Sequence, residues 1–172
     1  VRDRIRIGAA GKITTAFDIA RTIAIGADWC NAARGYMFAL GCIQSMSCHT
    51  DRCPTGIATQ DPRRWRRLDV PDKAERVLNY HENTLRALRE LLSAAGLRDT
   101  SELGPEHVIH RVSSTEVRSL GRLYPFLEPG QLLSGALDDH RLAVFEMFWH
   151  EARPDTFDAP ARVLALRASK LN

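Results

Sequence analysis

The sequence predicts an α/β fold, in which two strand–helix units are followed by an irregular loop and a mostly helical region. Over the first forty residues, strand-like and helical segments alternate, as they do where parallel strands are joined by helices. A glycine-containing turn follows each strand. Further along, a long amphipathic helix is predicted from about Asp72 to Ala95.

The first strand–helix unit is predicted from an alternating pattern and a helix cap. Ile5 and Ile7 alternate with arginines, as in a strand with one apolar face. Thr15 followed three residues later by Asp18 is a capping-box pattern, and apolar residues then recur at helical spacing until Gly26. The second unit is predicted as a strand from about Trp29 to Ala33 and a helical run that ends near Gly41.

No period survives between Gly41 and about Pro62, where Cys, Gly, Pro, Thr and Asp dominate, so this segment is predicted to be a functional loop. The long helix that follows has an apolar stripe that needs a packing partner; the stripe consists of Ala74, Val77, Leu78, Leu85, Leu88, Leu91 and Leu92.

Short helical segments are expected beyond Gly96. They are predicted after Thr100, from Val108 to Val112, from Thr115 to Leu120 and around His140 to His150. The last residues, from Arg153 onward, are expected to be extended or frayed. The chain is thus divided into residues 1–41, 42–62 and 63–172.

Composition narrows the possible partners and location. The chain has 24 basic and 21 acidic residues, a net charge of +3 that does not demand a nucleic-acid partner. Charged residues interrupt every apolar run before membrane-spanning length, so we expect a cytoplasmic protein with no membrane partner. Because the chain starts without Met and directly in a strand-like segment, we expect it to be part of a longer protein.

One basic cluster stands out, at residues 63–67, where four arginines surround Trp65. The cluster could contact nucleic acid, with Trp65 stacking on a base, but no second basic patch supports that use. A solvated turn of helix, or a docking surface for an acidic electron donor such as ferredoxin, is favoured.

Three cysteines in the loop indicate one shared ligand. Cys42, Cys48 and Cys53 are spaced C-x5-C-x4-C, and a proline follows the last, as in some bacterial ferredoxin sequences. Reduced cytosolic cysteines this close together favour a metal over disulfides. Three thiolates fit a three-iron cluster, or a four-iron cluster whose fourth ligand is His49 or Asp51.

Two other interpretations of the cysteines stay open. Structural zinc could be bound by the three thiolates and a histidine, either His49 or His81, although zinc sites commonly use more closely spaced cysteine pairs. Unliganded cysteines are the remaining possibility. Cys30 lies apart within the second strand and is expected to be a small buried apolar residue.

Two turns are candidates for binding a phosphate group. Gly8 to Lys12 follows the first strand and precedes a capped helix, and Ala33 to Gly35 lies at the same place in the second unit. Helix N-termini and exposed backbone amides bind anions at such positions, and in (β/α)8 barrels the last two strands commonly provide the phosphate site. Alternatively, the glycines only turn the chain. The strict dinucleotide-binding and triphosphate-binding glycine motifs are absent from the sequence.

Residues 39–61, ALGCIQSMSCHTDRCPTGIATQD, resemble the iron–sulfur segment of the FMN-binding synthase domain of glutamate synthases and of their shorter relatives. The upstream segments GKITTAFDIA and IGAD resemble the next-to-last barrel unit of that family. The resemblance extends from the start of the chain to about Gly96. It implies that the chain is the C-terminal part of a (β/α)8 TIM barrel, namely its last two βα units, followed by a cluster loop and a helical extension.

The resemblance also implies cofactors and a reaction. By it, Cys42, Cys48 and Cys53 bind a 3Fe–4S cluster, and four residues belong to the FMN phosphate loops: Gly11, Lys12, Ala33 and Arg34. The family forms 2-iminoglutarate from 2-oxoglutarate and ammonia, then reduces it to L-glutamate, with electrons from ferredoxin or an NADPH-oxidising subunit. Two strand–helix units cannot close a barrel, so the isolated chain is expected to be inactive. The alternative is a non-catalytic docking module stabilised by zinc or a cluster.

Overall fold

A computed structural model describes residues 2–135 and 142–156. These residues form two compact units, one ending at Leu120 and the other beginning at Gly121. The first unit contains β1 (Gly8–Ala10), α1 (Ala16–Ala24), β2 (Trp29–Asn31), α2 (Ala33–Leu40), α3 (Pro62–Trp65), α4 (Val70–Ala94), β3 (Ile109–Arg111) and β4 (Val117–Ser119). Single 3-10 turns lie at Arg2–Arg4, Cys48–Thr50, Thr100–Glu102 and Pro105–His107.

The predicted pair of parallel strands is confirmed. β1 and β2 pair in parallel, with Gly8 opposite Trp29 and Ala10 opposite Asn31. A Cβ on Gly8 would lie 2.5 Å from atoms of the Trp29 indole ring, so a side chain at this position would displace that ring. β2 is shorter than predicted because the chain enters α2 at Ala33. The α/β class of the prediction is therefore confirmed, with helices following both strands.

α1 and α2 both pack against α4 and cover part of its predicted apolar stripe. Leu88 and Leu92 are buried, whereas Ala74, Leu78 and Leu91 of the stripe are exposed. The core of this contact consists of Ala16 and Ala20 from α1 and Leu88 and Leu92 from α4, each with less than a tenth of its surface exposed. α4 begins where expected because the Asp69 carboxylate accepts a hydrogen bond from the backbone N–H of Asp72, 3.3 Å away.

The two helices predicted at Val108–Val112 and Thr115–Leu120 are wrong. β3 and β4 form an antiparallel hairpin instead, with Ile109 opposite Ser119. The exposed Ile109 and Val117 side chains show why the sequence was ambiguous, since neither strand has the alternation of a half-buried sheet. β-branched residues favour the extended backbone here.

The second unit contains most of α5 (Leu120–Leu123), together with α6 (Gln131–Ser134) and α7 (Ala143–Glu151). α7 confirms the described part of the helix predicted around His140 to His150; His140 itself lies outside the described residues. The segment after Thr100 is a 3-10 turn rather than a helix. Of the predicted frayed tail, residues 157–172 lie outside the described residues. In the described parts of the chain, no helix is both long and apolar enough to cross a membrane.

Candidate functional site

A groove of about 370 Å³ brings together residues from two predicted sites. Ala33 and Arg34, predicted to contact a flavin phosphate, line it at the beginning of α2. Cys42 and Cys48, predicted to bind a cluster, line it from the loop. The remaining lining residues are Met37, Phe38, Gln44 and Met46. The volume is within the range of small-molecule sites, and the lining combines apolar side chains with one cation and two thiols.

The beginning of α2 has no side chain that satisfies its backbone amides. Ala32 occupies the N-cap position and makes no side-chain cap hydrogen bond. The first amides of a helix have no partners within the helix, so they are available to an anion. Arg34 is exposed and adds a positive charge. This end of α2 fits a phosphate group chemically.

The loop before α1 is built differently. Gly11 and Lys12 are exposed and both have positive φ, 137° and 54°, so the chain turns sharply after β1. At the beginning of α1, the Asp18 carboxylate accepts hydrogen bonds from the backbone N–H groups of Thr14 and Thr15 at 3.1 and 3.0 Å. These bonds, the Thr14 N–H foremost, lower the pKa of Asp18. The helix end near Lys12 therefore already has an anion of its own.

Tyr80 of α4 contacts both the loop before α1 and the first turn of α2. The sequence alone did not identify it as part of the site. Its hydroxyl donates to the Thr14 backbone oxygen at 2.8 Å, and it occupies the space that a Cβ of Gly35 would need. Burial raises the pKa of Tyr80. Its spacing of three residues from Val77 places it on the packed face of the helix, which is the signal that could have found it.

Tyr36 and His81 extend this contact between α2 and α4. The Tyr36 hydroxyl lies 2.7 Å from His81 Nδ1, and the Tyr36 ring meets the Tyr80 ring edge to face, with 5.0 Å between centroids. His81, a candidate zinc ligand from the sequence, is therefore engaged with Tyr36. The contact holds the first turn of α2 against α4.

The cysteine loop has an unusual backbone. Three residues other than glycine have positive φ in it, Gln44, Met46 and Asp51, at 56°, 55° and 60°. Such conformations are uncommon away from functional loops, and they turn backbone N–H groups toward a common centre in many phosphate and iron–sulfur sites. Asp51 helps to hold the loop closed, since its carboxylate accepts from the Gln60 backbone N–H at 2.6 Å.

Cys53 is in an environment that favours a thiolate. Hydrogen bonds from the Thr55 hydroxyl, 3.3 Å away, and from the Ala58 backbone lower the pKa of the Cys53 thiol to about 7, against the effect of burial. A thiolate is the form that binds metal, and hydrogen bonds to the sulfur tune iron–sulfur clusters. The chemistry of this donor therefore fits a cluster ligand.

The three loop cysteines differ in position. Cys48 is exposed, Cys42 is half-buried and Cys53 is buried, and only the first two line the groove. Within residues 2–135 and 142–156, no three His, Cys, Asp or Glu side chains lie close enough together to hold a metal ion. Cys30 lies in β2, where burial raises the pKa of its thiol, and this disfavours a ligand role.

A larger groove, of about 740 Å³, lies beside the residues that precede β1 and β2 and includes none of the predicted site residues. Three of its four charged side chains, Arg2, Arg6 and Asp28, pair with one another. Asp28 contacts Arg2 at 3.0 Å and Arg6 at 3.3 Å. The Ile7 backbone N–H, followed by these arginines, lowers the pKa of Asp28. This groove therefore has little free charge for a ligand.

Comparison with known proteins extends the resemblance. A family model described as the conserved region in glutamate synthase matches residues 1–98, more than half of the chain. The chain is 39% identical over 123 residues to the glutamate synthase large subunit-like protein YerD of Bacillus subtilis, covering 72% of this chain and 23% of YerD. It is also 39% identical over 103 residues to the archaeal glutamate synthase [NADPH] of Methanocaldococcus jannaschii, covering 60% of this chain and 20% of that protein.

A third relative has ferredoxin in its name. The ferredoxin-dependent glutamate synthase 2 of a Synechocystis species is 33% identical over 120 residues, covering 69% of this chain and 7% of that protein. The α/β fold and these matches define the class of the protein, which is that of the glutamate synthase relatives. The chain belongs to the glutamate synthase family. It spans less than a quarter of the length of these three relatives.

Proposed function

We propose that the chain is the C-terminal part of a glutamate synthase-like oxidoreductase that binds FMN and a 3Fe–4S cluster. In the complete protein, 2-oxoglutarate and ammonia yield 2-iminoglutarate, which is reduced to L-glutamate. The observation that supports this most is the groove lined by Ala33, Arg34, Cys42 and Cys48, because residues proposed for the flavin and residues proposed for the cluster line the same groove. A cytoplasmic location, where thiols stay reduced, is part of the proposal.

The flavin phosphate is proposed to bind between the two strand–helix loops, with the strands belonging to the last part of a (β/α)8 barrel. Ala33 and Arg34 contribute uncapped helix amides and a guanidinium group. Gly11 and Lys12 contribute exposed backbone and an ammonium group. Tyr80 holds the loop before α1 close to the first turn of α2, because it contacts both Thr14 and Gly35. Residues that contact the substrate are not assigned in this chain.

The cluster is proposed to bind Cys42, Cys48 and Cys53. Cys53 is prepared for this role by the Thr55 hydroxyl and by neighbouring backbone groups, which stabilise its thiolate at neutral pH. When bound, the flavin supplies hydride transfer and the cluster relays single electrons to it. The residues of this chain hold and orient both groups, and the electron donor is proposed to be ferredoxin or an NADPH-oxidising subunit.

The test is to purify the intact protein under anaerobic conditions as wild type and with two matched substitutions. Cys48→Ser removes a proposed ligand, and Cys30→Ser removes a cysteine outside the loop. We expect wild type and Cys30→Ser to be brown, with about three irons per chain and an EPR signal in the oxidised state. Cys48→Ser should lose iron, sulfide and the signal. Colourless protein that contains zinc would refute the proposal and favour the non-catalytic docking module.

A further inference from the structure

A basic surface lies directly beside the cysteine loop. It consists of Arg52, Arg63, Arg66 and Arg67, all exposed, around the half-exposed Trp65. From residue 52 to residue 68 the sequence contains five arginines and a single acidic residue, Asp61. This concentration contrasts with the nearly balanced charge of the whole chain, 24 basic against 21 acidic residues. The basic surface is thus a local feature rather than a reflection of composition.

Within residues 2–135 and 142–156, the arginines of the basic surface form no ion pairs. In the part of the chain that the structure describes, Asp61 pairs with Arg64 at 3.2 Å, whereas none of the four arginines of the basic surface has an ion pair. Nearby carboxylates are occupied by backbone groups: Asp69 caps α4, and Asp51 binds the Gln60 N–H. The Arg66 guanidinium lies over the Trp65 ring, 5.6 Å from its centroid. The positive charge is therefore directed to solvent.

The basic surface is fixed to the cysteine loop. Arg64 Nη1 donates to the Arg52 backbone oxygen at 3.3 Å, and Arg52 directly precedes Cys53. A Cβ on Gly56, three residues after Cys53, would lie 2.5 Å from the Arg64 backbone oxygen, so the loop and α3 are in close contact. A protein bound to this surface would therefore contact residues that neighbour Cys53, a proposed cluster ligand, in the sequence.

We propose that the basic surface docks a small acidic electron-carrier protein. This inference rests on the proposed function, since it gives the cluster a donor at a surface in contact with the residues beside Cys53. An arginine rim around one aromatic side chain is the composition of many protein-binding surfaces, and charge complementarity both accelerates association and selects an acidic partner. A nucleic-acid site would need a longer basic stripe with several stacking residues, which this surface lacks.

The experiment measures binding rather than turnover. Calorimetry would determine the affinity of the intact protein for a plant-type 2Fe–2S ferredoxin at low and high salt. The variant Arg63→Glu with Arg66→Glu reverses two charges of the basic surface. The control, Arg86→Glu with Arg89→Glu, makes the same change in net charge on exposed positions of α4. Circular dichroism would establish that both variants are folded, and Arg63→Gln with Arg66→Gln provides a milder change.

We expect the surface variant to weaken ferredoxin binding at least about tenfold and the control less than about twofold, with wild-type affinity falling as salt rises. The glutamine variant should lie between them. Equal weakening by surface and control variants, or no binding by wild type at low salt, would overturn the proposal. A labelled single-stranded oligonucleotide that binds in place of ferredoxin, and is lost in the surface variant, would also overturn it.

Iron and sulfide analysis of the same samples separates this inference from the proposed function. If a protein without a cluster binds ferredoxin and the surface variant weakens that binding, the docking proposal is supported and the cluster proposal is refuted. A protein with a full cluster whose ferredoxin binding ignores the basic surface would refute docking and leave the cluster proposal intact.

Discussion

The beginnings of α1 and α2 occupy equivalent places, because each follows a three-residue strand of the same parallel pair. The two helices nevertheless differ in whether side chains cap their first amides. At α1, Thr15 and Asp18 form a complete capping box, so side chains of the protein satisfy the first amides. At α2, Ala32 provides no cap and the helix opens on the groove. The comparison teaches that topology alone does not make a phosphate site; the residue at the cap decides whether the amides are free.

The largest effect on stability is expected for Gly35→Ala, in the first turn of the uncapped helix α2. The new methyl group would overlap the Tyr80 hydroxyl and ring, so either Tyr80 loses its hydrogen bond to Thr14 or α2 and α4 move apart. We expect a loss of about 2–3 kcal/mol in the free energy of unfolding, as for other overpacked sites. Urea denaturation followed by the fluorescence of Trp29 and Trp65 would measure this loss. The Trp149→Phe substitution would remove the tryptophan of the compact unit that begins at Gly121, so that only the first compact unit contributes.

Gly104→Ala is the matched control for that substitution. A Cβ there would meet only His107 Nδ1, at 3.8 Å, and the backbone is extended with φ of −129°. A cost comparable to that of Gly35→Ala would show that loss of glycine itself, rather than overlap with Tyr80, explains the result.

The capping of α1 is tested by Asp18→Ala, which removes the acceptor of four hydrogen bonds. We expect a loss of about 1–2 kcal/mol of stability at neutral pH, as for other helix caps. Because the pKa of Asp18 is lower in the folded state, its contribution is present above the ordinary carboxyl pKa of 3.8 and is lost as pH falls through the folded value. The difference between wild type and variant should therefore shrink in acid.

Glu90→Ala serves as a control, because this exposed acid lies far along α4 from its capped beginning. If Glu90→Ala costs as much stability as Asp18→Ala, or if the Asp18 effect is independent of pH, the capping explanation fails.

The two helix beginnings can be compared directly through flavin affinity in the intact protein. Arg34→Ala removes the cation at the uncapped helix α2, and Lys12→Ala removes the one near the capped helix α1. We expect FMN binding, followed by quenching of flavin fluorescence, to weaken about tenfold for Arg34→Ala and about twofold for Lys12→Ala. The reverse order would assign the phosphate to the first loop.

A smaller effect concerns the thiolate of Cys53. Thr55→Val removes the hydroxyl that contributes most to lowering the pKa of Cys53 from 9.0 to about 7, so the pKa should rise part of the way back. Ultraviolet thiolate absorbance of metal-free protein across this pH range would measure it. Thr50→Val, which removes a hydroxyl bonded to the Ser47 backbone oxygen instead, should leave the titration unchanged.

The sequence predicted those elements whose signals are local. The capping box at Thr15 and Asp18 occupies one segment and was confirmed. The apolar stripe of α4 was confirmed in part, because Leu88 and Leu92 are buried whereas Leu78 and Leu91 are exposed. The β3–β4 hairpin was not found because its three-residue strands leave Ile109 and Val117 exposed, so no period marks a buried face. The barrel and the three-segment division of the chain stay predictions.

The candidate site was predictable only in part, for a related reason. The cysteine spacing and the glycine turns lie next to one another in the sequence, so they were identified as candidates. The contact of Tyr80 with Thr14 joins residues 66 positions apart, and no local pattern announces it. Likewise, the difference between Cys53 and Cys48 arises from burial and hydrogen bonding, which the spacing alone does not contain.

The Tyr80 hydroxyl fills the space that a side chain at position 35 would need, so these two positions cannot change independently. Among homologues, glycine should accompany a tyrosine at the equivalent of position 80, whereas a smaller residue on α4 should permit alanine or serine on α2. The presence of glycine at position 35 would then depend on the size of the residue that faces it on α4, as well as on any ligand that binds there. A glycine that looks like part of a phosphate motif can thus be retained for packing.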